Sequence, residues 1–194
     1  GRTVSGEGAR DVRPPTTAGG EVSRAGGGGA RRVVACWGSP WPYVRGWGER
    51  CSDIGRGYAE RGGTRVAMCS NDALSYPGDS FENMVVRAAE ARYAFAYAHD
   101  ESQEVARAYG AERTPDVFVL DGEGRVTHPG AVDDPTEHEG ATSRWLRDAL
   151  DATLDGRAPA AAETAPVGRT SKWPRRAARR LGCSRGAGAC APAR

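Results

Sequence analysis

Short apolar runs alternate with amphipathic segments along most of the chain, and this alternation restricts the fold more than any other feature. The run VVACW at 33–37 is typical of a buried strand. The segment after it carries apolar side chains every three or four residues, the spacing of one helix face: Val44, Trp47, Cys51, Ile54 and Tyr58. A strand followed by a helix in this way favours an α/β fold, in which helical crossovers join parallel strands.

The pattern repeats as far as residue 156. Further strands are predicted at 64–69, 94–97, 116–120 and 125–131, the last two joined by the turn DGEG. The remaining helices are recognised by their ends: one is capped by Asp79 and Glu82, one is capped by Asp100 and Gln103 and ends at Gly110, and one runs from Ser143 to Gly156. This order predicts a mixed sheet with helices on both faces, its final strands forming an antiparallel hairpin.

Composition sets the two ends of the chain apart from this region. Residues 1–30 are rich in glycine and poor in large apolar side chains, which predicts a flexible arm. Residues 158–194 are predicted to be a Pro/Ala-rich spacer and a basic tail, because residues 164–194 carry eight basic and no acidic side chains. The folded domain is therefore predicted at 31–157.

Composition also limits the partners. Every basic residue except Lys172 is arginine, a bias that GC-rich codons produce, so the arginine content does not indicate a nucleic-acid partner. No apolar run approaches the roughly 20 residues of a membrane helix, and no signal-peptide segment is present. We therefore expect a cytoplasmic protein without a membrane or nucleic-acid partner, and the oligomeric state stays open.

The candidate metal ligands do not form a convincing site. Five acidic or imidazole side chains follow the predicted hairpin: Asp133, Asp134, Glu137, His138 and Glu139. Their spacing matches neither a helix face nor a calcium loop, so a solvated acidic loop is the favoured interpretation. His99 and His128 are isolated and are predicted to be surface or edge residues. No metal and no cofactor are predicted.

The five cysteines form no CxxC pair. Cys36 and Cys69 lie within predicted strands, where a thiol usually packs as a small hydrophobe. Cys51 falls on the apolar face of the first helix, and Cys183 and Cys190 lie in the tail. A structural or incidental role is favoured for all five.

The junction GSPWPYV at 38–44 lies between the first predicted strand and the first helix, where α/β proteins gather ligands. It nevertheless holds no strong nucleophile, no carboxylate and no imidazole. The hydroxyl of Ser39 has no base nearby in the sequence to activate it. The junction therefore lies where catalytic residues are common, but its own residues supply no catalytic group.

Several longer runs resemble one family. They are WPYV (41–44), SNDALSYPGDSFENM (70–84), HDESQEVARAYGAERTPDVFVLD (99–121), GAVDD (130–134) and APVGRTSKW (165–173). With the element order, they make residues 33–173 resemble the thioredoxin-like redoxins, the group of the AhpC/TSA-type peroxiredoxins and the TlpA-like thiol reductases. The resemblance implies a three-layer α/β/α thioredoxin fold with the redoxin strand-helix insertion. It also implies an antioxidant lineage of thiol-disulfide oxidoreductases and thiol peroxidases that act in cell redox homeostasis.

The catalytic thiols of that family are missing here. The family's CxxC motif falls on four residues that carry no thiol: Gly38, Ser39, Pro40 and Trp41. Two further positions at which the family often has cysteine are occupied by Arg113 and Arg169. A CxxC pair at a helix N-terminus supplies one acidic thiol and one resolving thiol, so neither step of the family's chemistry has its usual residue.

The frame around the motif is retained. Thr114 and Pro115 match the Thr-Pro pair of the family, in which the proline is cis and the adjacent backbone binds an extended substrate segment. The resemblance therefore implies a substrate-binding role for these two residues. It also implies a protein or peptide partner at the surface shared by Trp41 and Pro115.

Two functions stay open on this basis. The first is thiol-disulfide or peroxide reduction, for which Cys36 is the nearest replacement thiol to the motif. The second is a redox-inactive module that binds a peptide or a partner beside Trp41, Thr114 and Pro115. A third possibility is a decayed copy of marginal stability, weakened by the glycines in its first helix.

Overall fold

Strands and helices alternate in the structure as the sequence predicts. The structure, a computed structural model, describes residues 13–22, 31–36, 53–54, 56–133 and 144–173. The strands in these ranges are β1 (Arg31–Cys36), β2 (Gly63–Cys69), β3 (Ala96–His99), β4 (Arg113–Thr114), β5 (Asp116–Leu120), β6 (Val126–Gly130) and β7 (Arg169–Thr170). The helices are α1 (residues 53–54 and 56–59), α2 (Phe81–Glu90), α3 (Glu104–Ala108) and α4 (Trp145–Leu154), and a 3₁₀ turn at Pro77–Asp79 precedes α2.

The main sheet has five strands in the spatial order β3-β2-β1-β5-β6, and β4 and β7 form a separate two-stranded sheet. The pairs β1–β2 and β2–β3 are parallel, whereas β1–β5 and β5–β6 are antiparallel. The predicted mixed sheet, with parallel crossovers first and an antiparallel hairpin last, is confirmed. Its cause is the chain order: strands separated by helices become parallel, and strands separated by a short turn become antiparallel.

Each face of the main sheet has its own core. Successive side chains of a strand point to opposite faces, so neighbouring residues of β1 belong to different layers. Ala35 and Val117 pack with residues of α1, α2 and α4 on one face. Val34 and Phe118 pack with residues of α3 on the other. The predicted three-layer α/β/α arrangement follows from this division.

The helix starts differ slightly from those predicted. Ser80, rather than Asp79, caps α2, because its hydroxyl accepts a hydrogen bond from the amide of Asn83. Asp79 is buried and accepts a hydrogen bond from the side-chain amide of Asn71 at 2.9 Å. At α3 the prediction for Asp100 holds in part, since its carboxylate accepts from the amides of Val105 and Ala106, although Gln103 is the residue at the cap.

The edge strands of the main sheet are covered. β3 lies two residues later than predicted, because its parallel register with β2 pairs Ala96 with Val66. His99 on β3 and His128 on β6 were predicted to be surface or edge residues; both lie on edge strands, yet both are buried. The edge placement is confirmed, whereas a surface position is wrong, because chain segments outside the main sheet pack over these strands.

Residues 13–22 provide the cover for β3. The amide of Thr17 donates to the carbonyl of Tyr97 at 2.9 Å, and the amide of His99 donates to the carbonyl of Pro15 at 2.9 Å. Composition assigns this segment to a flexible arm, since backbone hydrogen bonds leave no mark on side-chain composition. None of the helices in the described part of the chain is both long enough and apolar enough to cross a bilayer.

Candidate functional site

The site that the sequence predicts lies where β1, β2 and β3 reach their carboxyl ends. Gly38, Ser39, Pro40 and Trp41, the four residues at the positions of the CxxC motif, lie outside the described residues. Two parts of the predicted site are described, Cys36 at the end of β1 and the Thr114–Pro115 pair. The structure adds the loops that follow β2 and β3, because these strands run parallel to β1 and end at the same edge of the sheet.

Cys36 is the last residue of β1 and is only 2% exposed. It is paired in register with Met68 on β2 and with Asp116 on β5, and its side chain belongs to the core beneath α3. Thiols that react with proteins or peroxides are partly exposed and lie in electropositive surroundings. The surroundings of Cys36 are those of a packing residue.

Cys69 ends β2 and is fully buried, on the face of the sheet opposite to Cys36. Burial, with a contribution from the Asp79 carboxylate, raises the pKa of the Cys69 thiol to about 12. Because only a thiolate acts as a nucleophile, Cys69 is inert near neutral pH.

Thr114 ends β4, Pro115 follows it directly before β5, and the peptide bond between them is cis. Pro115 and the next residue, Asp116, are buried. The Asp116 carboxylate accepts a hydrogen bond from the amide of Glu112 at 3.0 Å. This bond joins the two ends of the short segment 112–116, which connects β4 to β5 of the main sheet.

The edge of β4 is occupied by the chain itself. The sequence predicts that backbone groups at Thr114 are open to a substrate strand. In the structure β4 pairs in antiparallel fashion with β7, so that Arg113 lies opposite Thr170 and Thr114 lies opposite Arg169. The amide of Ser171 extends this ladder by donating to the carbonyl of Glu112 at 3.0 Å.

β7 belongs to a longer segment, residues 161–173, which we call the C-terminal strap. Its first part lies along β6. The carbonyl of Ala161 is 2.8 Å from Nδ1 of His128, and the amide of Thr164 donates to the carbonyl of Pro129. The hydroxyl of Thr164 accepts from the amide of Ala131 at 2.9 Å.

The middle of the strap depends on a glycine. Gly168 lies so close to β4 that a Cβ atom added to it would be 2.2 Å from the carbonyl oxygen of Thr114. Its φ of +157° is also one that side chains rarely allow. No other residue type fits at this position without movement of the backbone.

The end of the strap is held by three polar residues, Asn71, Asp72 and Gln103, which we call the Lys172 clamp. The amide of Lys172 donates to Oδ1 of Asn71 at 2.9 Å. Its carbonyl accepts from the amide of Asp72 at 2.9 Å and from Nε2 of Gln103 at 3.0 Å. The clamp therefore binds only backbone groups of Lys172.

Trp173 ends the described part of the strap. Its ring packs against the core beneath α3, and the guanidinium of Arg107 lies 4.6 Å from its ring centroid. That guanidinium also donates to Oε1 of Gln103 at 3.2 Å, which links Trp173 to the Lys172 clamp. Arg107 is a partner that the sequence analysis missed, because nothing in its own helix indicates a contact with residue 173.

The comparisons with known proteins agree with this architecture. The sequence matches the Redoxin family over residues 13–144. An uncharacterized conserved protein from Geobacillus kaustophilus is 33% identical, with a TM-score of 0.78 over 87% of this chain and 92% of its own. A hypothetical protein from Sinorhizobium meliloti 1021 is 31% identical, with a TM-score of 0.79 over 90% of this chain and 97% of its own. A comparison with curated protein sequences gives no match.

More distant structures share the fold. The peroxidoxin BcpB from Mycobacterium tuberculosis is 18% identical, with a TM-score of 0.56 over 80% of this chain and 98% of its own. The fold class predicted from the sequence, an α/β protein of the thioredoxin type, is therefore confirmed. The chain belongs to the Redoxin family.

Proposed function

We propose that this protein is a redoxin-fold module that binds an extended peptide segment of a partner at the edge of β4, without a thiol-disulfide exchange step. The observation that carries the proposal is the pairing of β4 with β7. The edge beside Thr114 and Pro115 binds a strand through backbone hydrogen bonds, and no sulfur atom takes part.

The thiols support the same proposal. Gly38 and Trp41 stand where the family has its two cysteines. Among the described residues the cysteines are Cys36 and Cys69, which are buried on opposite faces of the sheet. A mixed disulfide on one of them would have no resolving thiol in the other, because the sheet separates the two.

The alternative is the activity of the lineage, thiol-disulfide exchange or peroxide reduction. The name of the Mycobacterium tuberculosis neighbour, a peroxidoxin, points to this kind of chemistry. One feature favours it here: Cys36 lies two residues before the motif, at the carboxyl end of β1. Exchange at Cys36 would require its side chain to leave the core beneath α3.

Turnover assays decide between the two functions. With dithiothreitol as the reductant, we expect the purified chain to accelerate neither the reduction of insulin nor the consumption of hydrogen peroxide above the rate with dithiothreitol alone. The Gly38→Cys/Trp41→Cys variant should gain insulin reduction, because it restores both thiols of the motif. Turnover by the unmodified chain that disappears in a Cys36→Ser variant would establish the alternative instead. The cytoplasmic location expected from the sequence stays a prediction.

A further inference from the structure

We propose that the C-terminal strap is an intramolecular ligand of the β4 edge, and that a partner binds there when the strap is displaced. This inference rests on the proposed function and specifies its partner. The partner is an extended peptide with a glycine against the carbonyl of Thr114 and an aromatic residue five positions later, as Gly168 and Trp173 are spaced in the strap.

The backbone of the strap is bound in the way that sheet edges bind peptides. β7 forms a ladder with β4, and the Lys172 clamp holds the next backbone amide and carbonyl. Such bonds supply affinity without reading side chains, so a foreign segment of suitable shape would make the same ones. The edge is therefore a general strand-binding surface that this chain fills with its own residues.

The side chains of the strap define what a competing peptide needs. Arg169 and Thr170 are exposed, and the Lys172 clamp contacts only the backbone of Lys172, whose ammonium lies 5.6 Å from the ring centroid of Tyr76. The backbone bonds of the ladder and the clamp therefore do not select the side chains at these three positions. Gly168 is restricted by the carbonyl of Thr114, and Ser171 is buried and small. With the aromatic contact at residue 173, the pattern is glycine, two exposed residues, a small residue, one residue bound through its backbone and an aromatic residue.

The strap is a segment that opens more easily than the rest of the fold. Its one buried side chain is that of Ser171, and most of its contacts are hydrogen bonds. Segments with few buried apolar contacts open locally at a lower free energy than core strands do. The exposed residues 155–158, after α4, provide the slack for such movement.

The tether gives the strap an advantage over any free peptide. Attachment through a short linker produces an effective concentration on the order of 1 mM, so a free peptide with identical contacts competes poorly. The apparent affinity for the same peptide is proportional to the fraction of protein whose β4 edge is not covered by the strap. Displacement of the strap therefore raises this apparent affinity. We expect a gain of about 100-fold or more.

The test uses a fluorescently labelled peptide of residues 161–173 and a Gly168→Ala variant of the whole chain. The added methyl group expels the tethered strap but leaves the β4 edge intact. We expect the variant to bind the peptide at least 100-fold more tightly than the unmodified chain does.

The matched control is Gly156→Ala, where φ is +72° but nothing lies within 4 Å of the added Cβ; it should bind the peptide as the unmodified chain does. A peptide that itself carries Gly168→Ala should bind to neither.

Two results would overturn the proposal. The first is a Gly168→Ala variant that unfolds cooperatively yet binds the peptide no more tightly than the unmodified chain. The second comes from hydrogen exchange on the unmodified chain and does not depend on the variant's folding. We expect the amides of Ser171 and Lys172 to exchange at least 10-fold faster than that of Val119. Equal rates would mean that the strap opens only when the whole protein unfolds.

The outcomes separate this inference from the proposed function. Equal binding of the peptide by the unmodified chain and the Gly168→Ala variant would support binding without thiol chemistry but would overturn displacement of the strap. Turnover lost in Cys36→Ser would overturn the proposed function, whereas peptide binding by Gly168→Ala would still support the strap as an intramolecular ligand.

Discussion

Cys36 and Cys69 end neighbouring parallel strands and face opposite sides of the sheet. A single-residue offset in register produces this separation, since Cys36 is paired with Met68 rather than with Cys69. The two thiols within the described residues therefore cannot replace the lost motif as a pair. Any thiol chemistry at Cys36 or Cys69 would therefore have to proceed without the other as a resolving thiol.

Both thiols should be unreactive in the folded protein. We expect iodoacetamide to modify Cys36 and Cys69 at least 100-fold more slowly in the native chain than in urea, because both are buried and the pKa of Cys69 is raised to about 12. Mass spectrometry of the tryptic peptides assigns the modification to each cysteine. Native modification of Cys36 at the urea rate would contradict this expectation and would support a catalytic thiol.

The Lys172 clamp should contribute measurably to stability. Gln103→Ala leaves the carbonyls of Ser70 and Lys172 without the Nε2 donor, which now lies 2.6 Å and 3.0 Å from them. The Lys172 carbonyl keeps the amide of Asp72 as a donor, so the main loss is at the buried bond to the Ser70 carbonyl. The free energy of unfolding should therefore fall by about 1–3 kcal/mol. Urea denaturation measures the change.

The matched control for that variant is Glu101→Ala, an exposed position on the same loop. It should change the free energy of unfolding by no more than about 0.5 kcal/mol. If Gln103→Ala were equally harmless, the strap would be attached by its other contacts alone. Hydrogen exchange at Ser171 would then be the same in the variant and the unmodified chain.

The sheet and its layers could be predicted from the sequence, whereas the strap could be predicted only in part. Strand β5 leaves a continuous apolar run typical of a strand buried on both faces, and helix α4 leaves a periodic apolar pattern that identifies its buried face. β7 has two residues, both exposed, and its bonds are made by the backbone, so no pattern indicates it. The run APVGRTSKW nevertheless resembled the family, and this was the available signal that residues 165–173 are ordered.

The polar contacts of the candidate site could not be predicted from composition. Asn71, Asp79 and Gln103 look like ordinary loop or cap residues in the sequence, yet all three are buried. What brings them together is tertiary structure: the ends of β2 and β3 are adjacent, and Lys172 of the strap bonds to Gln103, 69 residues before it, and to Asn71, 101 residues before it. Side-chain periodicity carries no information about such distant contacts.

His128 should make stability depend on pH. Burial lowers the pKa of His128 below its ordinary value of 6.5, although the hydrogen bond to Ala161 and the Glu163 carboxylate oppose the change. The unfolded chain therefore takes up a proton first as the pH falls. The stability that the neutral imidazole contributes is fully present above about pH 6.5 and is lost as the pH falls below it, with a slope of at most about 1.4 kcal/mol per pH unit.

Two variants isolate this effect from other titrations. His128→Gln should flatten the dependence of the free energy of unfolding on pH between 7 and 5. Glu163→Gln should extend the loss to lower pH, because it removes a carboxylate that raises the pKa of His128. Urea denaturation at several pH values gives both slopes. Parallel curves for the unmodified chain and His128→Gln would show that another group is responsible.

The start of the strap should tolerate no side chain at Gly130 on β6. A Cβ atom there would lie 2.0 Å from the hydroxyl and 2.6 Å from the carbonyl oxygen of Thr164, at a φ of +153°. Overpacking against backbone and a conformation that is essentially reserved for glycine should together cost about 3 kcal/mol in Gly130→Ala. Gly124→Ala is the matched control, because its φ is +79° and nothing lies within 4 Å of the added atom, so it should cost only about 1 kcal/mol. Thermal denaturation of the two variants measures the difference, and equal losses would mean that Thr164 moves aside at no cost and that β6 does not hold the strap.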